Sequence, residues 1–248
     1  MKRLGIFGDS YAQAIIDSPL WPYGNQGWSA LLKSEDPDNV DIYAKAGASV
    51  EWIVDQFLEH HSKYEKVVVI VASWPRIHFP VKLFPHNNGK VWTSEFWSNV
   101  QMIEQINRNN HSENNMVQKI LDWMVCIAFD PSQKKYQQNN IIANCTYLKC
   151  LHPGAILIPV MKHYNFDTIE PGYDWCLTDI SKHETELIGQ PFYKKALQDC
   201  RPNHMSLENN QWFVEHIKQR LDGKFLNWNK NTSYQFKKEQ ELWRLKSK

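Results

Sequence analysis

Residues 2–10, which read Lys2-Arg3-Leu4-Gly5-Ile6-Phe7-Gly8-Asp9-Ser10, decide the fold of this chain. The apolar part predicts a first strand over Arg3–Phe7, and Tyr11–Ile16 behind it is compatible with a helix. Ser10 then lies where ligands bind in open α/β sheets, at the carboxyl end of a strand. A helix start also offers free backbone N–H groups to an anion. Ser10 is therefore a candidate nucleophile, although a Gly-Asp-Ser tripeptide also makes an ordinary turn and helix cap.

Further apolar runs predict three more buried strands, at Val40–Ala44, Lys66–Ala72 and Ala155–Val160. Continuous β-branched runs of this kind suit a parallel sheet that is covered on both faces. Amphipathic helical patterns alternate with the strands. Three of these patterns are clearest. The first follows Ser49 as N-cap, and the second starts at Pro131 and stops at Pro153-Gly154. The third runs from Ser206 to a C-cap at Gly223. This alternation predicts an α/β fold with a doubly wound sheet and right-handed crossovers.

Composition excludes several classes of protein. The chain has 248 residues, 42% of them hydrophobic, which suits one large domain. A formal net charge of +1 gives no general attraction to nucleic acid or to an anionic membrane. The five cysteines show neither a C-x-x-C pair nor metal-type spacing with histidine, so we expect no metal and no cofactor. The odd cysteine count, with no secretory signal and no membrane span, favours a cytoplasmic protein.

The expected organisation is a main domain over residues 1–223 with a helical and loop insertion at about 77–150. Residues 224–248 form a basic, aromatic C-terminal extension with seven Lys and Arg. A peripheral helix or solvated tail explains this extension more simply than a dedicated binding arm does.

Polar groups follow the predicted strands at the same edge of the sheet. Gly47 comes after the second strand, where a glycine lets the backbone approach a ligand and its N–H point at an oxyanion. Ser73-Trp74-Pro75-Arg76 comes after the third strand, and His204 lies in a loop before the last helix. Each has a simpler explanation, as a loop glycine, a strand-ending turn or a surface histidine. The combination with Ser10 is the distinctive feature.

These residues resemble the SGNH (GDSL-type) hydrolase superfamily. Its first block matches Phe7-Gly8-Asp9-Ser10, its second matches Gly47, and its last matches Asn203-His204-Met205-Ser206. The resemblance implies a flavodoxin-like three-layer α/β/α sandwich and the hydrolysis of esters. It also implies Ser10 as nucleophile, His204 as general base, and the N–H groups of Ser10 and Gly47 as part of the oxyanion hole. Asp9 is expected to stabilise the turn and not to serve as the acid of the triad.

Two positions depart from the family pattern. Trp74 stands where the family has an asparagine that donates to the oxyanion, and Ser73 or Arg76 can substitute as donor. Arg201 stands where the family has the acid three residues before the histidine, so that either Asp199, the nearest acid, or a backbone carbonyl is left to orient His204. Loss of one oxyanion donor costs on the order of 10²–10³ in rate, so we expect a slow or specialised enzyme, or no enzyme. The variant resembles SGNH-type proteins encoded by bacteriophages, for which association with the virion is an alternative location.

Three functions remain open from the sequence. The first is a serine esterase or deacetylase for a small-molecule or carbohydrate ester, in which Trp21, Trp28 and Trp74 either form a stacking wall or pack in the core. The second is a non-catalytic module of the same fold, in which Arg76 and Arg201 bind a glycan or an anion. The third, a flavodoxin-like nucleotide binder, is least favoured because neither G-x-G-x-x-G nor a P-loop follows the first strand. The sequence does not indicate an oligomeric state.

Overall fold

The structure, a computed structural model, describes part of the chain: residues 3–13, 27–45, 48–72, 76–78, 90–92, 131–161, 166–170, 176–177, 205 and 207–224. The strands are β1 (Leu4–Gly8), β2 (Val40–Ala44), β3 (Lys66–Val71), β4 (Arg76–His78), β5 (Lys90–Trp92) and β6 (Ile156–Pro159). The helices are α1 (Trp28–Glu35), α2 (Val50–His60), α3 (Pro131–Leu151) and α4 (Leu207–Leu221), and short 3-10 turns cover His61–Lys63 and Phe166–Thr168.

The main sheet is parallel, with the strand order β2-β1-β3-β6. This order corresponds to the first four strands of the flavodoxin arrangement. Strand β2 lies on one side of β1, and β3 lies on the other side, so the two connections run in opposite directions along the sheet. Because such crossovers are right-handed, α1 and α2 must lie on opposite faces of the sheet. The predicted α/β class, parallel sheet and three-layer arrangement are therefore confirmed, and the four predicted strands occur within a residue or two of their expected ends.

The α2 layer is built as its sequence pattern predicts. The Ser49 hydroxyl accepts a hydrogen bond from the Trp52 backbone N–H at 3.3 Å and so caps the helix. The buried stripe of α2 includes Ile53 and Phe57, and the Phe57 ring meets the Phe7 ring of β1 edge-on, with 5.5 Å between ring centres. The layer also contains α3, which begins at Pro131 as expected and buries three residues in the core, namely Ile141, Cys145 and Leu148.

The layer on the other face pairs α1 with α4. The Trp28 ring of α1 meets the Phe213 ring of α4 edge-on at 5.1 Å between ring centres. Helix α4 ends at Gly223, whose φ of 78° is the left-handed conformation that glycine adopts most easily. The Gly223 N–H donates to the Arg220 carbonyl and the Lys224 N–H donates to the Gln219 carbonyl, both at 3.0 Å. This is a Schellman motif, and it confirms the predicted end of the helix.

A short antiparallel hairpin formed by β4 and β5 was not predicted. Arg76 pairs with Trp92, and His78 pairs with Lys90. The hairpin starts five residues after β3 ends, within the region expected to carry an insertion. The predicted domain boundaries stay predictions, and the expected extension beyond residue 224 lies outside the described residues. No described helix has the length and apolar character needed to cross a membrane.

Two polar clusters lie away from the carboxyl edge of the sheet, one of them buried between α3 and α4 and the other half-buried beside β2. In the first, Glu170, only 3% exposed, binds Arg220 of α4 and lies 2.5 Å from the Lys149 ammonium of α3. In the second, the Tyr64 hydroxyl donates to the Asp41 carboxylate at 2.7 Å and accepts from the Tyr43 hydroxyl at the same distance. The Tyr64 hydroxyl is the main cause that lowers the pKa of the Asp41 carboxyl, ahead of Arg3 and Lys33 nearby.

Candidate active site

A tight turn at the carboxyl end of β1 carries Ser10. The Asp9 carboxylate accepts a hydrogen bond from the Tyr11 backbone N–H at 3.0 Å, and the Asp9 carbonyl accepts one from the Ala12 N–H at 3.0 Å. The side chain of Asp9 is fully buried and Ser10 is 8% exposed. Asp9 therefore stabilises the turn, as the sequence suggested, because a short carboxylate can satisfy the backbone two residues further on. Of the segment expected to be compatible with a helix, residues 11–13 include a turn and no helix, and residues 14–16 lie outside the described residues.

Gly8 makes this turn possible because no side chain fits at its position. A Cβ atom on Gly8 would lie 2.8 Å from the Ala12 Cβ and 2.8 Å from the Ile70 Cβ. Ala12 belongs to the turn and Ile70 to the neighbouring strand β3, so the turn folds back until it touches the sheet. The glycine of Gly8-Asp9-Ser10 is thus needed for close packing behind the serine.

Strand β2 reaches the same edge of the sheet beside this turn. Gly8 is in register with Ala44, and the Lys45 backbone N–H donates to the Gly8 carbonyl at 3.2 Å. The Ala48 N–H then donates to the Lys45 carbonyl at 3.0 Å, which curls the backbone at the end of β2. Burial lowers the pKa of the Lys45 ammonium. A partly desolvated cation therefore lies one residue beyond the strand pair that carries Ser10.

Helices α1 and α4 close the other side of the turn through a chain of buried hydrogen bonds. The Trp28 indole N–H donates to the Tyr11 carbonyl at 2.7 Å, directly after Ser10. The Asn210 amide oxygen accepts the Trp28 backbone N–H at 2.9 Å, and the Asn210 amide nitrogen donates to the Met205 carbonyl at 3.2 Å. Because Trp28 has no exposed surface, its role is in the core, and the stacking wall considered for it is wrong. Trp21 and Trp74 lie outside the described residues.

Of the predicted site residues, Ser10 is the one whose side chain the structure describes. Arg76 is described by its backbone alone, as the first residue of β4. The remaining predicted positions, Gly47, Ser73, Trp74, Asp199, Arg201 and His204, lie outside the described residues. Their roles therefore stay predictions. Met205, the residue bonded to His204, is described and is 2% exposed.

Sequence reasoning missed two residues near this edge. Lys45 carried a detectable signal, since it follows the second predicted strand directly. Asn210 carried none, because an asparagine inside an amphipathic pattern gives no indication of a partner 182 positions away.

In the part of the chain that the structure describes, no three His, Cys, Asp or Glu side chains are grouped as a metal ion would need. The described residues at the carboxyl edge are the turn that carries Ser10 and, beside its strand, the backbone of Lys45.

No protein-family model and no curated protein sequence matches this chain. Several solved structures are similar to it at low sequence identity, among them the following three. One is a protein described as lipolytic and of the G-D-S-L family from Desulfitobacterium hafniense, with 11% identity and a TM-score of 0.34, covering 89% of this chain and 100% of its own. The second is an alpha/beta hydrolase from the metagenome of Lake Arreo, with 12% identity and a TM-score of 0.34, covering 89% and 95%.

The third solved structure is an acetyl xylan esterase from Geobacillus stearothermophilus. It is 11% identical, with a TM-score of 0.32, and the match covers 91% of this chain and 96% of that one.

Proposed function

We propose that this chain is a serine ester hydrolase of the SGNH (GDSL) type, with an acyl-esterase or deacetylase activity. The observation that carries the proposal is the setting of Ser10. It lies at the carboxyl end of the first strand of a parallel sheet, in a turn fixed by Asp9 and packed against β3 through Gly8. A serine in that position has its attacking oxygen at the edge of the sheet where substrates of α/β enzymes bind.

The proposed mechanism proceeds through a covalent acyl-serine. His204 takes the proton from the Ser10 hydroxyl as its oxygen attacks the ester carbonyl, and the same proton then goes to the leaving alcohol. Water, activated by His204, attacks the acyl-serine, and the acid is released as Ser10 recovers its proton. Asp199 would orient His204, and the N–H groups of Ser10 and Gly47 would stabilise the oxyanion.

The substrate proposed is a small-molecule or carbohydrate ester. Ser73, Trp74, Arg76 and Arg201 are the candidates for completing the oxyanion hole or for contacting the substrate. Because Trp74 and Arg201 stand at positions where the resemblance implies an asparagine and an aspartate, the proposed enzyme is slow or specialised in its substrate.

A fluorophosphonate probe, which labels activated serines, tests this proposal. We expect the wild-type protein to be labelled, and Ser10→Ala and His204→Ala to lose both labelling and turnover of a short acetyl ester. Ser34→Ala is the matched control, since Ser34 is exposed on α1 and donates only to the Leu31 carbonyl. Labelling that persists in Ser10→Ala, or no labelling of the wild type, refutes the serine mechanism.

Trp74 and Arg201 also favour one alternative, a non-catalytic binding module of the same fold. In that alternative Arg76 and Arg201 bind a glycan or an anionic ligand. It predicts thermal stabilisation by a ligand such as an acidic sugar that is equal in the wild type and in Ser10→Ala. Turnover of an acetyl ester that disappears in His204→Ala excludes the alternative.

A further inference from the structure

We infer that Asn210 is a positioning residue that fixes the backbone beside His204 relative to the turn carrying Ser10. The inference rests on the proposed function, and it adds a residue outside the blocks that resemble the family. Four described residues form the Asn210 tether, which runs from Met205 through Asn210 and Trp28 to Tyr11. Each of them is buried, with at most 6% of its surface exposed.

The first step of the tether is the Asn210 side chain, which uses both ends of its amide. Its oxygen accepts the backbone N–H of Trp28 at 2.9 Å, and its nitrogen donates to the Met205 carbonyl at 3.2 Å. Trp28 is the first residue of α1, and the preceding Gly27 has no side chain with which to cap the helix. Asn210, which lies on α4, therefore caps the first turn of α1 with its amide oxygen. The nitrogen of the same amide binds the Met205 carbonyl.

The second step is the Trp28 side chain, which is fixed on both sides. Its indole N–H donates to the Tyr11 carbonyl at 2.7 Å, and its ring packs edge-on against Phe213, which lies on α4 as Asn210 does. An aromatic ring with no exposed surface and a hydrogen-bonded N–H has little freedom to reorient. Movement of Asn210 or of Trp28 would thus be passed to the Tyr11 carbonyl.

The third step is covalent. Tyr11 is bonded to Ser10, and Met205 is bonded to His204, so the tether joins the residues next to the proposed nucleophile and the proposed base. Three hydrogen bonds and two side chains span this distance. A misplacement of about 1 Å between reacting groups can cost on the order of 10²-fold in rate. The tether therefore sets the alignment on which proton transfer from Ser10 depends.

The test is Asn210→Asp, which keeps the size of the side chain and an oxygen for Trp28 but, as a carboxylate, has no donor for Met205 and sets a negative charge beside the Met205 carbonyl. We expect the rate of fluorophosphonate labelling and kcat for a short acetyl ester to fall by about 10- to 100-fold, with KM within about twofold of wild type. Trp28→Phe, which removes the bond to the Tyr11 carbonyl and also leaves a cavity in the core, is expected to act in the same direction. Rates are compared per folded molecule, so that loss of stability does not count as loss of function.

The matched control is Asn140→Asp, the same substitution in the other helical layer. The Asn140 amide nitrogen of α3 donates to the Glu51 carboxylate of α2 at 3.0 Å, so this change also breaks a bond between helices. We expect Asn140→Asp to lower the melting temperature while the labelling rate and kcat stay at wild-type values. Asn210→Asp with a wild-type labelling rate per folded molecule overturns the inference, as does an equal loss of rate in Asn140→Asp.

Hydrogen exchange supplies a readout that does not depend on activity. If the tether exists, Asn210→Asp accelerates amide exchange at Met205 and at Tyr11–Ala12 together, and Asn140→Asp does not. Unchanged exchange at both places overturns the inference even in an active enzyme. A wild-type protein that neither labels nor hydrolyses esters refutes the proposed function, and with it the positioning role of Asn210, whereas the exchange result alone decides whether the tether exists.

Discussion

Replacement of Gly8 by alanine tests how the turn behind Ser10 is built. The new Cβ would lie 2.8 Å from the Cβ atoms of both Ala12 and Ile70. Since carbon atoms pack best at about 3.5–4.0 Å, each contact is short by about 0.7 Å or more. Both facing atoms are fixed to the backbone and cannot rotate away, so the turn and β3 must separate. Gly8 is outside the left-handed region, and the cost comes from lack of space and not from φ.

Overpacking of this kind costs about 1–3 kcal/mol of the free energy of unfolding. Alanine also lowers the conformational entropy of the unfolded chain, which raises the free energy of unfolding by about 0.4–1 kcal/mol. Because the overpacking cost is larger, the net effect is destabilising. For a protein of this size each kcal/mol lowers the melting temperature by about 2–4 °C. We therefore expect Gly8→Ala to melt several degrees below wild type and, because the turn moves, to label more slowly with the fluorophosphonate probe.

Two other glycines serve as controls. A Cβ on Gly154 would meet only His152 ring atoms at 3.9 Å, so Gly154→Ala should leave stability within about 0.5 kcal/mol of wild type. Gly5 lies on β1 as Gly8 does, but at the end of the strand that is remote from Ser10. A Cβ on Gly5 would lie 2.6 Å from Cδ2 of Tyr64. Gly5→Ala should therefore lower the melting temperature and leave the labelling rate per folded molecule unchanged. If Gly8→Ala has the same melting temperature as Gly154→Ala, or the same labelling rate per folded molecule as Gly5→Ala, the reasoning about the turn is wrong.

Two further predictions concern the two polar clusters. Because the pKa of the Asp41 carboxyl is lowered in the folded protein, its carboxylate stabilises the fold fully above the unfolded pKa of 3.8. This stabilisation is lost as the pH falls through the lowered folded pKa. Tyr64→Phe should therefore destabilise the protein more at about pH 6 than at about pH 2 in urea unfolding, and an equal loss at both would contradict this. Glu170→Gln leaves two partly buried cations without their carboxylate and should cost about 3 kcal/mol in the same assay. Glu215→Gln, at an exposed ion pair, should cost less than about 1 kcal/mol, and equal costs would refute the argument.

The sheet was predictable from sequence because its signal is local. Strands covered on both faces need continuous apolar residues, and Lys66–Val71 reads as Lys followed by five β-branched residues. The caps at Ser49 and Gly223 were predictable for the same reason, since the residue type satisfies the geometry of its own helix end.

The hairpin of β4 and β5 was not predictable by these rules. Its strands have three residues each, and eleven residues separate His78 from Lys90. The strongest hairpin signal is a two-residue turn between alternating runs, and such short strands carry too little alternation to be recognised. Helices α2 and α3, by contrast, were predicted because their apolar patterns extend over three turns or more.

In the candidate site, too, the local features were predictable from the sequence and the long-range contacts were not. That Ser10 would lie at the carboxyl edge follows from one strand and one turn, so the local sequence is enough. The contact between that turn and the segment before α4 depends on residues separated by 182 positions, and the amide of Asn210 has the same composition whether it faces solvent or Trp28. Buried polar groups need partners, but the sequence does not say which ones. A candidate nucleophile is therefore visible in a short motif, whereas the buried partner of an amide such as Asn210 becomes visible only when the hydrogen bonds of the folded chain are traced.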